Sequence, residues 1–162
     1  MERTVADEVV NRVLWKIPNV LCLVGSRSGD DWNAMTTSWV TQVAMEPVLV
    51  GVSVDKKAVT HRLIAEGAAP GDRIGIYLKF SKPALKEGMN LNGRPIREGL
   101  TGAPVFTEAI AFLECRVHQA VDCGTHVLYL GEVIDCGFSE GGDEADVARM
   151  EDTRMKYGGV KR

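Results

Sequence analysis

The stretch from Asn33 to Ser53 (NAMTTSWVTQVAMEPVLVGVS) most strongly constrains how this chain folds. It contains two runs that favour β-structure, separated by Glu46-Pro47. Proline cannot donate a backbone hydrogen bond, so within sheets it is restricted to edges, bulges and strand starts. Residues 34–44 and 48–54 are therefore predicted to form two successive strands. Gly51 in the second strand indicates either a bulge or the close approach of a ligand or another backbone.

Hydrophobic periodicity and turn residues predict the other elements. Apolar residues at helical spacing over residues 4–16 predict an amphipathic helix that ends before Pro18. A second helix is predicted after Lys57, with its end near Gly67. The remaining predicted elements are strands at 20–25, 72–78, 109–121 and 126–135, hairpin turns at 26–33 and 122–125, and a last helix at 147–156. These elements predict a mainly β fold, a small antiparallel barrel with added peripheral helices.

Two segments carry more specific expectations. In the strand at 109–121, alternation predicts that Cys115 and its apolar neighbours are buried, whereas Glu114 and His118 face water. Residues 79–103 lose any regular period and are rich in proline and glycine. This composition predicts a long excursion with a helical turn near 84–87, a candidate lid or specificity segment.

Composition limits the class of protein. The 162 residues are 45% hydrophobic and 25% charged, which predicts one globular domain over 1–162. A net charge of −3 gives no basic footprint for nucleic acid. No apolar run approaches the ~18–20 residues of a membrane span, and the acidic N-terminus is unlike a signal peptide, so a cytoplasmic protein is expected. Four widely spaced cysteines are expected to be reduced and mostly buried: Cys22, Cys115, Cys123 and Cys136.

Hydroxyl groups and an indole cluster at Thr36, Thr37, Ser38 and Trp39. Hydroxyls can hydrogen-bond phosphate or ring carbonyl oxygens, and an indole can pack on a planar ligand. The same residues are also common on the wet face of a strand. The cluster is therefore either a ligand site or a solvated strand face.

Thr60 follows Lys56 and Lys57 at the predicted start of the second helix, where the helix dipole favours an anion. It is either a phosphate ligand or a capping residue in a solvated turn, and the neighbouring His61 is expected on the helix surface. His126, at the mouth of the second hairpin, is either a functional histidine or an ordinary strand-end residue. The histidines are too scattered to predict a metal site, and no Rossmann, P-loop or serine-hydrolase motif is present.

Three blocks, in this order, resemble the flavin reductase-like, FMN-binding split-barrel family. They are N-A-M-T-T-S-W, then E-P-V-L-V-G-V-S-V with A-V-T-H-R-L-I, and finally C-G-T-H-V-L-Y-L-G-E-V-I-D. The last block is similar to the family signature G-D-H-x-x-x-x-G-E-V, except that Thr125 replaces its aspartate. The resemblance covers residues 20–135 and implies an FMN-binding split β-barrel, with FMN held non-covalently at a homodimer interface.

The resemblance also implies roles for individual residues. The isoalloxazine and ribityl side would be lined by Thr36, Thr37, Ser38 and Trp39. The pyrimidine edge would face the backbone of Val52, Ser53 and Val54. The phosphate would be bound by Lys57 and Thr60, and His126 would stand near the reacting flavin face and the nicotinamide.

The implied activity is hydride transfer from NADH or NADPH to flavin, with electrons passed to free flavin, ferric iron or a partner protein. The protein would supply positioning and electrostatics, because the cofactor carries the redox chemistry. Two alternatives stay open: a non-enzymatic FMN electron-transfer protein that serves a redox partner, and a relative whose pocket binds a different ligand.

Overall fold

The fold is described from a computed structural model that covers residues 5–66, 71–74, 83–149, 152 and 159. Within these ranges the chain forms helices α1 (Asp7–Leu14) and α2 (Val59–Ala65) and a 3-10 turn at Gly142–Glu144. The strands are β1 (Cys22–Ser28), β2 (Asp31–Thr37), β3 (Val40–Met45), β4 (Val48–Asp55), β5 (Gly71–Ile74), β6 (Lys86–Glu87), β7 (Asn90–Leu91), β8 (Arg94–Glu98), β9 (Pro104–Phe106), β10 (Ala111–Asp122) and β11 (His126–Phe138). The mainly β fold with peripheral helices is confirmed. None of the described helices is long and apolar enough to cross a membrane.

Seven strands form one antiparallel sheet in the order β2-β1-β5-β10-β11-β4-β3. Its outer strands, β2 and β3, are consecutive in the chain and are joined only by Ser38 and Trp39. Three Cα–Cα steps span at most about 11 Å. In a flat sheet the outer strands would be about 29 Å apart, because neighbouring strands lie about 4.8 Å from each other. The sheet must therefore curl until its two edges meet near Trp39.

Two buried clusters stabilise this curled sheet. The first packs under α2 and contains Val24, Val50, Val52, Val54, Ile64, Val127 and Tyr129. The second contains Leu23, Ala34, Leu91, Ile96, Phe106 and Ala109 and joins β1 and β2 to the segment that follows residue 83. Strand alternation explains the division, since Leu23 and Val24 point to opposite faces of β1.

The described part of the predicted excursion, residues 83–103, forms a second, four-stranded sheet together with β9, in the order β6-β7-β8-β9. The helical turn predicted near 84–87 is wrong, because Lys86–Glu87 pairs with Asn90–Leu91 in a hairpin. Local polar contacts favour the hairpin: the Leu85 N–H donates to the side-chain oxygen of Asn92 (2.8 Å), and the Asn92 N–H donates back to the Leu85 carbonyl (2.8 Å). The assignment of this segment as a lid stays a prediction.

Three other predicted boundaries change. The hairpin after β1 needs only Gly29, with φ of 56°, and Asp30, so β2 begins earlier than predicted. The single strand predicted at 34–44 divides at Ser38–Trp39. The predicted last helix does not begin at 147, because residues 147–149 are not helical and Arg149 forms an isolated bridge with Val20.

Other predicted elements hold within the described residues. The helix at 4–16, the break at Glu46-Pro47 and the hairpin of β10 and β11 are confirmed. The predicted strand at 72–78 is confirmed over the described backbone of β5, and its remainder, like the predicted helix end at Gly67, lies outside the described residues. The cysteines are free, but only two of the four are buried, Cys22 and Cys115.

Glu114 was predicted to face water, and this is wrong: the residue is 0% exposed. A register shift between Glu114 and Cys115 interrupts the alternation of β10, so both consecutive residues are buried. The Glu114 carboxyl group accepts hydrogen bonds from the Leu100 N–H (3.0 Å), the Thr101 N–H (2.9 Å) and the Thr101 hydroxyl (2.9 Å). It thereby fixes the turn between β8 and β9 to the main sheet, and a methyl group at Gly99 would overlap it.

Glu114→Ala is expected to lower the free energy of unfolding by about 2–4 kcal/mol, because it leaves two backbone donors without their acceptor. Urea denaturation of the variant measures this change. The matched control is Glu108→Ala, which removes an exposed carboxylate paired with Arg94 and is expected to cost less than about 1 kcal/mol. Equal losses in the two variants would contradict a special role for Glu114.

Candidate functional site

A crevice of about 710 Å³ opens where the loop after β4 meets the turn between β10 and β11. Its walls combine an indole, an imidazole, hydroxyl groups and charged side chains. The lining residues are Trp39, Ser53, Asp55, Lys56, Lys57, Cys123, Gly124, Thr125, His126 and Gly159. The size is within the usual range for a cofactor or small-molecule site.

The pairing of β11 with β4 positions one wall. His126 lies opposite Asp55, and Leu128 lies opposite Ser53. Directly paired residues of antiparallel strands share a face, so Ser53 and His126 project to the crevice side of the sheet. Val52 and Val54 project to the other face and are buried in the cluster under α2.

Trp39 lies beside this wall, at the junction of the two sheet edges. Its ring centroid is 4.9 Å from that of His126, and the two ring planes are inclined by 46°. The Trp39 carbonyl accepts a hydrogen bond from the Ser53 N–H (3.0 Å), and the Trp39 N–H donates to the Thr37 hydroxyl (3.3 Å). The backbone of Trp39 is thus hydrogen-bonded to both β2 and β4, which holds its indole in place.

The turn between β10 and β11 is fixed by several contacts. The Lys56 ammonium lies 2.7 Å from both carboxylate oxygens of Asp122, and the Gly124 N–H donates to one of them (2.8 Å). Gly124 has φ of 83°, a conformation that favours glycine. The Lys56 N–H donates to the Thr125 carbonyl (3.1 Å), so this loop and the turn are linked through both backbone and side chain.

The two lysines of the crevice differ in whether their charge is available to a ligand. Hydrogen bonds from Lys56 and then from the Gly124 N–H lower the pKa of Asp122 below its usual value. The Lys56 charge is therefore engaged. Lys57 is exposed, and its ammonium has no ion-pair or hydrogen-bond partner within the described part of the chain. Lys57 can thus offer its charge to an anionic ligand.

The structure brings four of the predicted site residues to the crevice: Trp39, Ser53, Lys57 and His126. The other six are not among the residues that line it. Thr36 is half-buried, and Thr37, Ser38, Val52, Val54 and Thr60 are buried.

Thr60 lies in the core and is not a residue of the crevice lining. It is 0% exposed, and its hydroxyl accepts a hydrogen bond from the Asn33 side-chain amide (2.8 Å). The hydroxyl therefore connects α2 to β2 in the core, and its role as a phosphate ligand stays a prediction. His61, expected on the helix surface, is half-buried, and its Nδ1 lies 2.7 Å from the Tyr129 hydroxyl. Burial raises the pKa of Tyr129.

Sequence reasoning assigned no site role to Asp55, Cys123, Gly124 or Thr125, and it grouped Lys56 with Lys57. These residues reach the crevice because β11 pairs with β4, although about 70 residues separate the two strands. The C-G-T-H block marked the turn, but no local pattern shows that the turn meets the loop after β4.

A second concavity, of about 650 Å³, lies on the curled sheet and is apolar. Its lining residues are Val20, Cys22, Val40, Thr41, Gln42, Val48, Val50, Ala111, Phe112, Leu113, Val133, Cys136, Gly137 and Phe138. None of these carries a charge. The apolar groove is therefore poorly suited to a ligand with a phosphate group, which needs donors and a cation.

The sequence matches the flavin reductase like domain over residues 14–160. The chain belongs to this family. It is 30% identical over 132 residues to the ferric-chelate reductase (NAD(P)H) of Archaeoglobus fulgidus, an alignment that covers 75% of this chain and 76% of that protein. The family resemblance seen in the sequence motifs is confirmed.

Solved structures of related flavoproteins share the fold. The Thermus thermophilus FMN-binding protein has a TM-score of 0.67 at 25% identity and covers 78% of this chain and 74% of its own. The Streptomyces globisporus NADH:FAD oxidoreductase has a TM-score of 0.71 at 26% identity and covers 87% of this chain and 90% of its own. These similarities confirm the split-barrel fold.

Several relatives are much longer than this chain. They are putative diflavin flavoproteins of Synechocystis and Nostoc, and this family member spans only 21 to 24% of their length.

Replacing Lys56 by Met is expected to raise the pKa of Asp122 toward its unfolded value of about 3.9, because the largest cause of the lowered pKa is removed. Carbon-detected NMR titration of the Asp122 carboxyl group measures this pKa. Since the folded pKa is lowered, the stability contributed by Asp122 is present above the unfolded pKa and is lost as pH falls through the folded pKa. Lys86→Met, which removes a lysine outside the crevice, should leave the Asp122 titration unchanged. An unchanged titration in Lys56→Met would show that Lys56 does not lower the pKa of Asp122.

Proposed function

We propose that this family member binds FMN in the crevice and acts as an NAD(P)H-dependent flavin reductase that passes electrons to free flavin, ferric iron or a partner protein. The observation that carries the proposal is the placement in one crevice of the Trp39–His126 ring pair and of the Lys57 ammonium, which is exposed and has no partner among the described residues. The ferric-chelate reductase relative is named for NAD(P)H, and one structural neighbour is an FMN-binding protein. A cytoplasmic location remains an expectation from the sequence.

The crevice fits FMN in shape and charge. An indole and an imidazole offer faces on which a planar ring system packs, and a lysine ammonium complements a terminal phosphate. The residues that would hold FMN are Trp39 and Ser53 at the ring system and Lys57 at the phosphate. Another neighbour is named as an NADH:FAD oxidoreductase, so FAD is the competing flavin.

When bound, FMN supplies the redox chemistry by accepting a hydride from NAD(P)H and passing on the electrons. The residues of this chain perform the other tasks. Trp39 covers the ring system and excludes water from one side, while Lys57 anchors the charged end. The His126 ring lies against the indole, with a centroid distance of 4.9 Å, and would contact the nicotinamide.

We further propose that the chain is a homodimer, as the family resemblance implies. The helix α1 has no buried residue, and Val5, Val9, Val13 and Ile17, which recur every four residues, are each about half exposed or more. The apolar groove is a second uncovered surface. Large apolar patches are unusual on monomers, and two-fold association would cover both surfaces on both copies at once.

Purified protein supplied with FMN is expected to be yellow, and anaerobic NADH or NADPH should bleach its visible flavin absorbance. Retained colour with no bleaching by either nucleotide would favour the electron-transfer alternative. If the protein takes up FAD but not FMN, FAD would replace FMN as the proposed cofactor. If it binds neither flavin, the proposal is rejected.

Lys57→Met is expected to weaken FMN binding by about 1–2 kcal/mol, or roughly 5- to 30-fold, because a charge-assisted contact to phosphate is lost at an exposed site. Fluorescence titration measures the dissociation constant. Riboflavin, which lacks the phosphate, should bind the variant and the wild type equally. Lys86→Met is the charge-matched control, and an equal loss for FMN and riboflavin would exclude a phosphate role for Lys57.

Val13→Asp should raise the dimer dissociation constant at least ~100-fold, because a buried interface would then contain an unpaired carboxylate. Sedimentation velocity measures the change. Arg12→Gln, on the same helix, alters the net charge by the same amount and should leave the dimer intact. A wild-type protein that sediments as a monomer at micromolar concentration would overturn the proposed dimer.

A further inference from the structure

Thr125 occupies the position where the family signature has an aspartate, directly before His126. In the structure the Thr125 hydroxyl oxygen lies 2.9 Å from Nδ1 of His126. This is hydrogen-bond distance, and a hydroxyl can either donate to a bare ring nitrogen or accept from a protonated one. The contact therefore engages Nδ1 in either tautomer.

The other ring nitrogen is available to a ligand. Within the described residues, Nε2 of His126 has no hydrogen-bond partner. The ring also contacts the Trp39 indole, which limits its rotation on one side. With Nδ1 engaged by Thr125, Nε2 is the nitrogen left to face a molecule in the crevice.

The backbone of Thr125 is itself held in place. Its carbonyl accepts from the Lys56 N–H (3.1 Å), and the Cys123 N–H donates to the His126 carbonyl (2.9 Å) across the turn. The Lys56–Asp122 ion pair ties the same turn to the loop after β4. Because this backbone is fixed, the Thr125 side chain has to adopt only one rotamer to hold the His126 imidazole.

A hydroxyl differs from a carboxylate in one respect that matters here: it orients the ring without adding a negative charge. Among the described residues, the crevice lining already has one acidic and two basic side chains, Asp55, Lys56 and Lys57, and Lys56 is paired with Asp122 outside the lining. Asp55 lies opposite His126 in the strand register. Thr125 therefore supplies orientation to the ring without adding a charge to the crevice.

We propose that Thr125 is a positioning residue: its hydroxyl holds the His126 imidazole through Nδ1 and presents Nε2 to the nicotinamide of NAD(P)H. This inference rests on the proposed function for the identity of the ligand. The hydrogen bond between Thr125 and the His126 ring is a property of the protein alone and can be measured without any cofactor. A nitrogen presented in one fixed orientation reduces the entropy lost when the substrate is positioned for hydride transfer.

The first measurement is the ¹⁵N NMR spectrum of the His126 ring in the protein without cofactor, assigned with His126→Gln. The Nδ1 resonance is expected to show the chemical shift of a hydrogen-bonded nitrogen in the wild type and in Thr125→Ser, and to lose that shift in Thr125→Val, which has the same shape but no hydroxyl. Thr107→Val is the control, because Thr107 is an exposed threonine after β9 and outside the crevice lining. Identical His126 spectra in wild type and Thr125→Val would overturn the inference, whatever the protein's activity.

The second measurement is stopped-flow reduction of the FMN-loaded protein. Thr125→Val is expected to be reduced roughly 2- to 10-fold more slowly, the effect of one hydrogen bond, with an unchanged FMN dissociation constant and with recovery in Thr125→Ser. An altered NMR spectrum with a wild-type reduction rate would overturn the positioning role in the reaction. A wild type that NAD(P)H does not reduce would instead refute the proposed function, and the NMR result would still decide whether Thr125 holds the ring.

Discussion

The two-residue connection between opposite edges of the main sheet is the constraint on which the rest of the structure depends. Ser38 and Trp39 cannot span a flat sheet of seven strands, so β2 and β3 are brought together and the sheet is curled. Trp39 is placed at the resulting junction by chain length alone. The position of the indole at the crevice is thus a consequence of topology, and no dedicated binding loop is needed to hold it there.

The crevice itself forms where elements distant in sequence are joined by strand pairing. The register of β11 against β4 sets His126 opposite Asp55, and the Lys56–Asp122 pair then closes the turn onto the loop. Because Lys56 is engaged by a carboxylate, neighbouring Lys57 is the cation left for an anionic ligand among the described residues that line the crevice. The two adjacent lysines therefore differ in their surroundings: the Lys56 ammonium is paired with Asp122, and Lys57 is exposed at the crevice.

Buried polar side chains connect the second sheet to the first. The Asn33 side chain donates to the Thr60 hydroxyl (2.8 Å) and accepts from the Ala84 N–H (2.8 Å), which joins β2, α2 and the start of the excursion. Glu114 makes a comparable connection to the turn at Leu100 and Thr101. Such groups must be satisfied when they are removed from water, so each fixes the geometry of the segment that it contacts.

Local sequence was sufficient to predict the secondary-structure elements that depend on a pattern of only a few neighbouring residues. The amphipathic pattern of α1, the interruption at Glu46-Pro47 and the hairpin around Gly124 follow from side-chain periodicity and from the conformational limits of proline and glycine. The motif order was also sufficient to identify the family, and with it the split-barrel fold.

Tertiary structure alone decided which of the candidate residues share a site. Thr60 and Lys57 are three residues apart and looked alike as phosphate ligands, yet one hydroxyl is buried against Asn33 and one ammonium is exposed at the crevice. Glu114 is buried because a bulge, invisible in the alternating pattern, shifts the register of β10. The physical reason is common to these cases: periodicity reports the polarity of a side chain, whereas its neighbours are set by the register and curvature of strands that lie far apart in the chain.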